Sequence, residues 1–234
     1  MASWLDHLLF ALVPGSCILC DAQTRRHLDL CCACERELPR IVRPCHRCGL
    51  QMGAGDVCGR CLAVPPPFER CFAPFRYAWP IDRLVSDFKQ RGRIIVGKML
   101  AHAVSTAYIA ETAPERFPDV LVPVPLHKRR LRHRGFNQSV EIADVLSDHT
   151  GRPVDNHLCR RVKDAAPQKS LDAKQRSRNL RDAFAIDGDP EGLSVAIVDD
   201  VVTTAATVSE ISRLFLARGA SRVEVIALAR TPLP

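Results

Sequence analysis

A chain of 234 residues, 47% of them apolar, has the composition of a globular protein and the length to bury a sizeable core. The net charge of +7 is local: residues 127–136 (HKRRLRHRGF) carry five Lys/Arg and no acid, and residues 159–181 carry eight against Asp164 and Asp172. The remainder is acidic, so the positive charge argues for a polyanionic partner, a pyrophosphate or a nucleic acid, with solvated basic loops as the plainer alternative.

In chain order, the opening segment MASWLDHLLFALVPGSC tempts toward an export signal. Its apolar run, residues 8–13, is short, and Asp6 rather than a basic cluster precedes it. It reads instead as an amphipathic helix with Trp4, Leu5, Leu8, Leu9 and Leu12 on one face. Nothing elsewhere approaches the ~20 apolar residues of a membrane span. The expected location is cytoplasmic.

Nine of the eleven cysteines then fall between Cys17 and Cys61, in the pairs CILC, CCAC, CHRC and CGRC. The gaps within each half are ten and nine residues, and the halves repeat with an offset of 27–28. In a reducing compartment such pairs bind metal rather than form disulfides. Two such pairs complete the tetrahedral four-thiolate shell of a structural zinc. Cys17, Cys20, Cys31, Cys34, Cys45, Cys48, Cys58 and Cys61 supply two sites, and Cys32 is spare. A redox CxxC would be a single pair in a βαβ setting, whereas an iron–sulfur cluster takes the same four ligands. Sequential grouping is simplest, with a cross-braced arrangement as the alternative. Pro65, Pro66 and Pro67 end the module, giving expected domains of 1–67 and 68–234.

Beyond the prolines the texture becomes that of an α/β domain. CFAPFRY (71–77) reads as a strand, and Pro80 opens a helix stopped by Gly92. A second helix is expected over 95–109. DVLVPVPL (119–126) reads as a buried strand and NQSVEIADVLSDHTG (137–151) as a helix closed by Gly151. LSVAIVDD (193–200) is another buried strand, residues 207–220 a helix capped by Gly219, and RVEVIALA (222–229) a last strand. Apolar strands alternating with helices imply a mainly parallel sheet covered on both faces.

In such sheets ligands bind beyond the strand C-termini. Two motifs fall at that edge: PVPLHKRRLRHRGFNQ after the first strand and DDVVTTAAT after the later one. Backbone amides of residues 203–207 and the following helix N-terminus suit a phosphate. Thr203, Thr204 and Thr207 add hydroxyl donors. Asp199 and Asp200 are acceptors for ribose hydroxyls, directly or through Mg2+-bound water. A receiver-type acidic metal pocket or a helix cap would look similar.

VDDVVTTAAT resembles the phosphoribosyl-pyrophosphate (PRPP) signature of type I phosphoribosyltransferases. Together with the cysteine module, FKQRG and PVPLHKRRLRHRGFNQS, it resembles the ComF family over nearly the whole chain. The resemblance implies a type I phosphoribosyltransferase-like core behind a zinc finger, linked to natural competence and acting on incoming single-stranded DNA. A PRPP site would comprise Asp199, Asp200, Thr203, Thr204, Ala205, Ala206 and Thr207, with Mg2+ accompanying the ligand. The family usually has Gly at the position of Ala205. If that position needs φ > 0, Ala is strained by about 1 kcal/mol or more.

If the protein is a glycosyltransferase-class enzyme, Asp199 and Asp200 serve the ribose side. Lys128, Arg129 and Arg130 serve the departing pyrophosphate. Residues 160–179 lie where such folds carry a closing loop, and the family pattern marks Gln168, Leu171, Arg176 and Asn179 there. Arg132, Arg134, Phe136, Asn137 and Gln138 are the nucleic-acid or loop residues of the other basic segment. Phe136 is either a stacking platform or an anchor for its loop. The alternatives are a non-catalytic zinc-containing scaffold for single-stranded DNA and a PRPP or nucleotide sensor. A helicase or channel component of the uptake machinery is the implied partner. The acceptor base is not specified.

Overall fold

In a computed structural model of the protein, residues 15–24, 26, 29–163 and 182–232 are described. The expected amphipathic helix around Trp4, and Gln168, Leu171, Arg176 and Asn179, lie outside them. Among the described residues the core is a five-stranded, wholly parallel sheet. Its strands are β3 (Cys71–Phe72), β4 (Phe75–Arg76), β5 (Val120–Pro123), β8 (Ser194–Val202) and β9 (Arg222–Arg230). The order is β3-β9-β8-β5, with β4 continuing along β9. Pro74 breaks the expected single strand over 71–77 into β3 and β4, because proline cannot donate to a ladder.

Alternation along the strands separates two apolar layers. Ala196, Val198, Ile226 and Leu228 face one cluster with Phe88, Leu100 and Ile142. Val195, Ile197, Val225 and Ala227 face the other, with Val208, Ile211 and Phe215. A period of two on strands buried on both faces produces this division. The first layer holds α3 (Ile81–Arg91), α4 (Ile94–Glu111) and α6 (Gln138–Thr150), and the second holds α7 (Ala206–Ala217).

Helix ends follow their caps. Asn137 accepts from the Ser139 amide (3.1 Å) at the start of α6, and Gly92 and Gly151 end α3 and α6 in the left-handed conformation. Other elements of the core domain go beyond the sequence expectation. The basic segment forms helix α5 (Lys128–Arg134) between His127, whose ring accepts from the Arg129 amide, and left-handed Gly135. An antiparallel pair, β6 (Cys159–Arg161) and β7 (Phe184–Ile186), packs on the second layer. Strand β8 also runs to Val202, two residues past the acidic pair, and α7 begins at Ala206.

The cysteine module comprises the hairpin β1 (Gly15–Ser16)–β2 (Gln23–Thr24) and the short helices α1 (Cys32–Arg36) and α2 (Gly59–Ala63). It packs against the core at several points. Cys17, Leu30 and Leu38 join the first apolar layer. The Ile41 amide donates to the Pro74 carbonyl (2.8 Å), and the Arg76 amide donates to that of Pro39 (2.7 Å). Gly49 has φ +70°, and a Cβ there would stand 2.7 Å from the Cys71 carbonyl oxygen. Only glycine allows this approach.

Candidate functional site

The cysteines fall into two compact groups, Cys17/Cys20/Cys31/Cys34 and Cys45/Cys48/Cys58/Cys61, each with all Sγ atoms within 4.8 Å of one another. The grouping is sequential, and Cys32 is outside it. Cys20 and Cys31 Sγ are 3.8 Å apart and Cys48 and Cys58 Sγ 3.7 Å. A tetrahedron with Zn–S bonds of about 2.3 Å has edges of roughly 3.8 Å, so the donor sets fit zinc. Backbone amides favour thiolates here: Cys34 N–H points at Cys31 Sγ (3.4 Å) and Cys58 N–H at Cys45 Sγ (3.3 Å). Burial alone would raise the thiols of Cys17 and Cys45. Amide donors outweigh it and lower them to about 6 and about 7.

Neighbouring parallel strands bring the remaining motifs to one sheet edge. Pro123, ending β5, is in register with Val198 of β8, so α5 and the 203–205 turn both leave the C-terminal edge. A small hollow of about 30 Å³ is lined by Asp199 and residues 201–208, which include Thr203, Thr204, Ala205, Ala206 and Thr207. The first amides of α7 have no intrahelical acceptor. Ala205 caps this helix with φ +62°, the left-handed conformation that the sequence left open. Thr204 Oγ1 accepts from the Ala206 amide (3.4 Å).

Side chains alternate along a strand, and the two acids have different partners. Asp200 pairs with Lys89 Nζ of α3 at 2.8 Å and accepts from the Val201 amide (2.6 Å). Asp199 accepts from the Asp200 amide (2.9 Å) and is hydrogen-bonded by the Ser139 side chain. Burial, then the Asp200 charge, push the Asp199 carboxyl up to about 7, against the pull of Lys89. Among the described residues, the cation paired with the acidic couple is therefore Lys89, not Lys128, Arg129 or Arg130. Lys89 lies in FKQRG, a segment noted in the sequence without a role for its lysine. Ser139 likewise carried no separate signal.

The other basic-segment residues brace α5 and α6. Arg134 donates to Gln138 Oε1 (2.8 Å), and Asn137 Nδ2 donates to the Val124 carbonyl (3.1 Å). Gln138 is buried, and its Nε2 has no acceptor among the described residues. Phe136 packs its ring on Phe88, with centroids 5.6 Å apart, in the role of a loop anchor. Arg132 is exposed.

Residues 8–62 match the family described as "Double zinc ribbon domain". The chain is 39% identical over 225 residues to the DNA utilization protein YhgH of Salmonella typhi, covering 94% of this chain and 98% of that protein. It is 32% identical over 211 residues to competence protein F of Haemophilus influenzae, covering 86% and 90%. Competence protein ComFC of Bacillus subtilis is 27% identical over 235 residues, covering 92% and 95%. Among solved structures, purine phosphoribosyltransferase from Pyrococcus horikoshii aligns with 20% identity and a TM-score of 0.35, covering 56% of this chain and 69% of that one. Among the described residues no helix is long and apolar enough to cross a membrane.

Proposed function

Because the chain belongs to the family of the DNA utilization protein YhgH and competence protein F, we propose that it binds PRPP with Mg2+ and serves DNA uptake or utilisation on the cytoplasmic side. The observation that carries this reading is the acidic pair near the end of β8, on the same strand whose end at Val202 leads through left-handed Ala205 into the amino end of α7. In this reading residues 1–67 form the zinc module and 68–234 the ligand-binding domain.

Asp199 and Asp200 accept the ribose hydroxyls, while amides and hydroxyls of residues 203–207 hold the 5′-phosphate. Asp199 and Asp200 would also hold Mg2+ accompanying the ligand, directly or through its water, and the ion would offset the ligand's negative charge. Lys128, Arg129 and Arg130, from the neighbouring strand end, and Lys89, from α3, supply cations toward the pyrophosphate. If transfer occurs, the C1–O bond to pyrophosphate breaks and an acceptor supplies the new bond to C1. Single-stranded DNA tracks the basic surface that includes Arg132 and Arg134, an electrostatic rather than a stacking contact with Phe136 on Phe88. A helicase or channel component of the uptake apparatus is the proposed partner.

Calorimetry with PRPP, with and without Mg2+, tests this on the zinc-loaded parent and on Asp199→Asn/Asp200→Asn. Magnesium-dependent binding that the double variant loses is the expected result. No binding by the folded parent overturns the PRPP reading and favours a DNA-only scaffold.

A further inference from the structure

Arg230 ends β9 in register with Val202, the last residue of β8, and is only 3% exposed. Its Nε donates to the carbonyl of Cys48, in the second four-cysteine group, at 2.9 Å. Its Nη1 donates to the carbonyls of Val202 (2.9 Å) and Thr231 (3.2 Å), and closely to that of Thr203. A buried cation is costly, and an apolar side chain would fill the same space at less cost. Here the guanidinium does what an apolar group cannot: it joins a metal-ligand loop to the strand end that opens the 203–205 turn.

The peptide unit adds a directional consequence. C=O and N–H of a trans peptide point in opposite directions. Drawing the Val202 and Thr203 carbonyls toward Arg230 therefore turns the Thr203 and Thr204 amides away from it. On the Arg230 side the turn is not tightly packed. A groove of about 360 Å³ separates the second cysteine group from Thr204 and Ala205, and Arg230 lies along it with Arg60 and Arg213. Gly49, pressed on the Cys71 carbonyl, holds the Cys48 loop within reach.

We propose that Arg230 is a positioning residue coupling metal occupancy of the second cysteine group to the order of the 203–208 turn. The proposal rests on the phosphate-turn reading for its functional meaning, but its test needs no PRPP. Without metal the Cys45–Cys48 loop loses its tether, the Cys48 carbonyl drifts, and the strut loses one end.

Amide hydrogen exchange, followed by mass spectrometry on the full chain, provides the test. Peptides spanning 203–208 and core peptides spanning 195–198 are compared in zinc-loaded and zinc-stripped parent and Arg230→Met protein. In the parent, stripping is expected to speed exchange of the turn by about tenfold. In Arg230→Met the turn is fast with two zinc ions retained, and stripping adds little. An unmoved turn in zinc-loaded Arg230→Met overturns the proposal, as does equal acceleration by stripping in both proteins. If Arg230→Met does not fold, Gly49→Ala replaces it. This variant keeps Arg230 but displaces the Cys48 loop, so unchanged turn exchange beside unchanged core exchange overturns the proposal. Failure of PRPP to bind, by contrast, bears on the ligand and not on this coupling.

Discussion

Burial and the Asp200 carboxylate push the Asp199 carboxyl from 3.8 to about 7, while Lys89 pulls the other way. An acid whose folded value is raised stabilises the fold below its unfolded value and loses that contribution as the pH rises through the folded one. Asp199 thus costs stability at neutral and alkaline pH. Asp199→Asn is expected to be more stable than the parent by roughly 2–4 kcal/mol at pH 8, with the two converging near pH 4. Denaturant melts across that range check this. Ala205 carries a second local strain, since φ +62° brings its Cβ close to its carbonyl oxygen. Ala205→Gly removes that clash at the cost of a freer unfolded chain, and a net gain of about 0.5–1 kcal/mol is expected by the same melts. Both residues carry a local cost to stability within the proposed phosphate turn and its acidic neighbour. The sequence identified Ala205 as the informative position, but its dihedral angle was settled by how β8 turns into α7.

Elements with an apolar period were legible. α3 and α6 fall within a residue of their expected bounds, because Ile81, Leu84, Val85 and Phe88 recur at helical spacing and Gly92 and Gly151 end the helices. Helix α5 had no such period, as its seven residues are almost all cationic, and its two end residues specify it instead. Strands β6 and β7 are three residues each, too short for alternation to register. The contact between α4 and α6 supplies a pH response. His102 Nδ1 and His149 Nε2 are 2.9 Å apart. Burial lowers His102 below its usual value, the His149 and Lys98 charges add to the effect, and Asp148 opposes it. A histidine lowered in the fold favours the folded state above its ordinary value of 6.5 and loses that advantage as pH falls below it. His102 therefore withdraws stability between pH 7 and pH 5, against the gain from Asp199 over the same range, and thermal melts should show a larger rise on acidification in His102→Gln than in the parent.

At the scale of the molecule, the two cysteine groups are part of the fold's packing rather than a separate bead on a linker. Cys17, Leu30 and Leu38 lie in the core layer, and Arg230 reaches the Cys48 carbonyl. The sequence alone determined the local chemistry: four CxxC pairs as metal ligands, apolar strands between helices, and an acidic pair before a small hydroxylic turn. Each depends on spacing within a few residues, which the chain carries in itself. The tertiary structure decided which charges meet. Lys89 stands 110 or so positions before Asp200 yet pairs with it at 2.8 Å, and Arg230 lies 182 residues from Cys48. Parallel strand order and the docking of α3 and the cysteine module create those meetings, and no local periodicity encodes the register between segments so far apart.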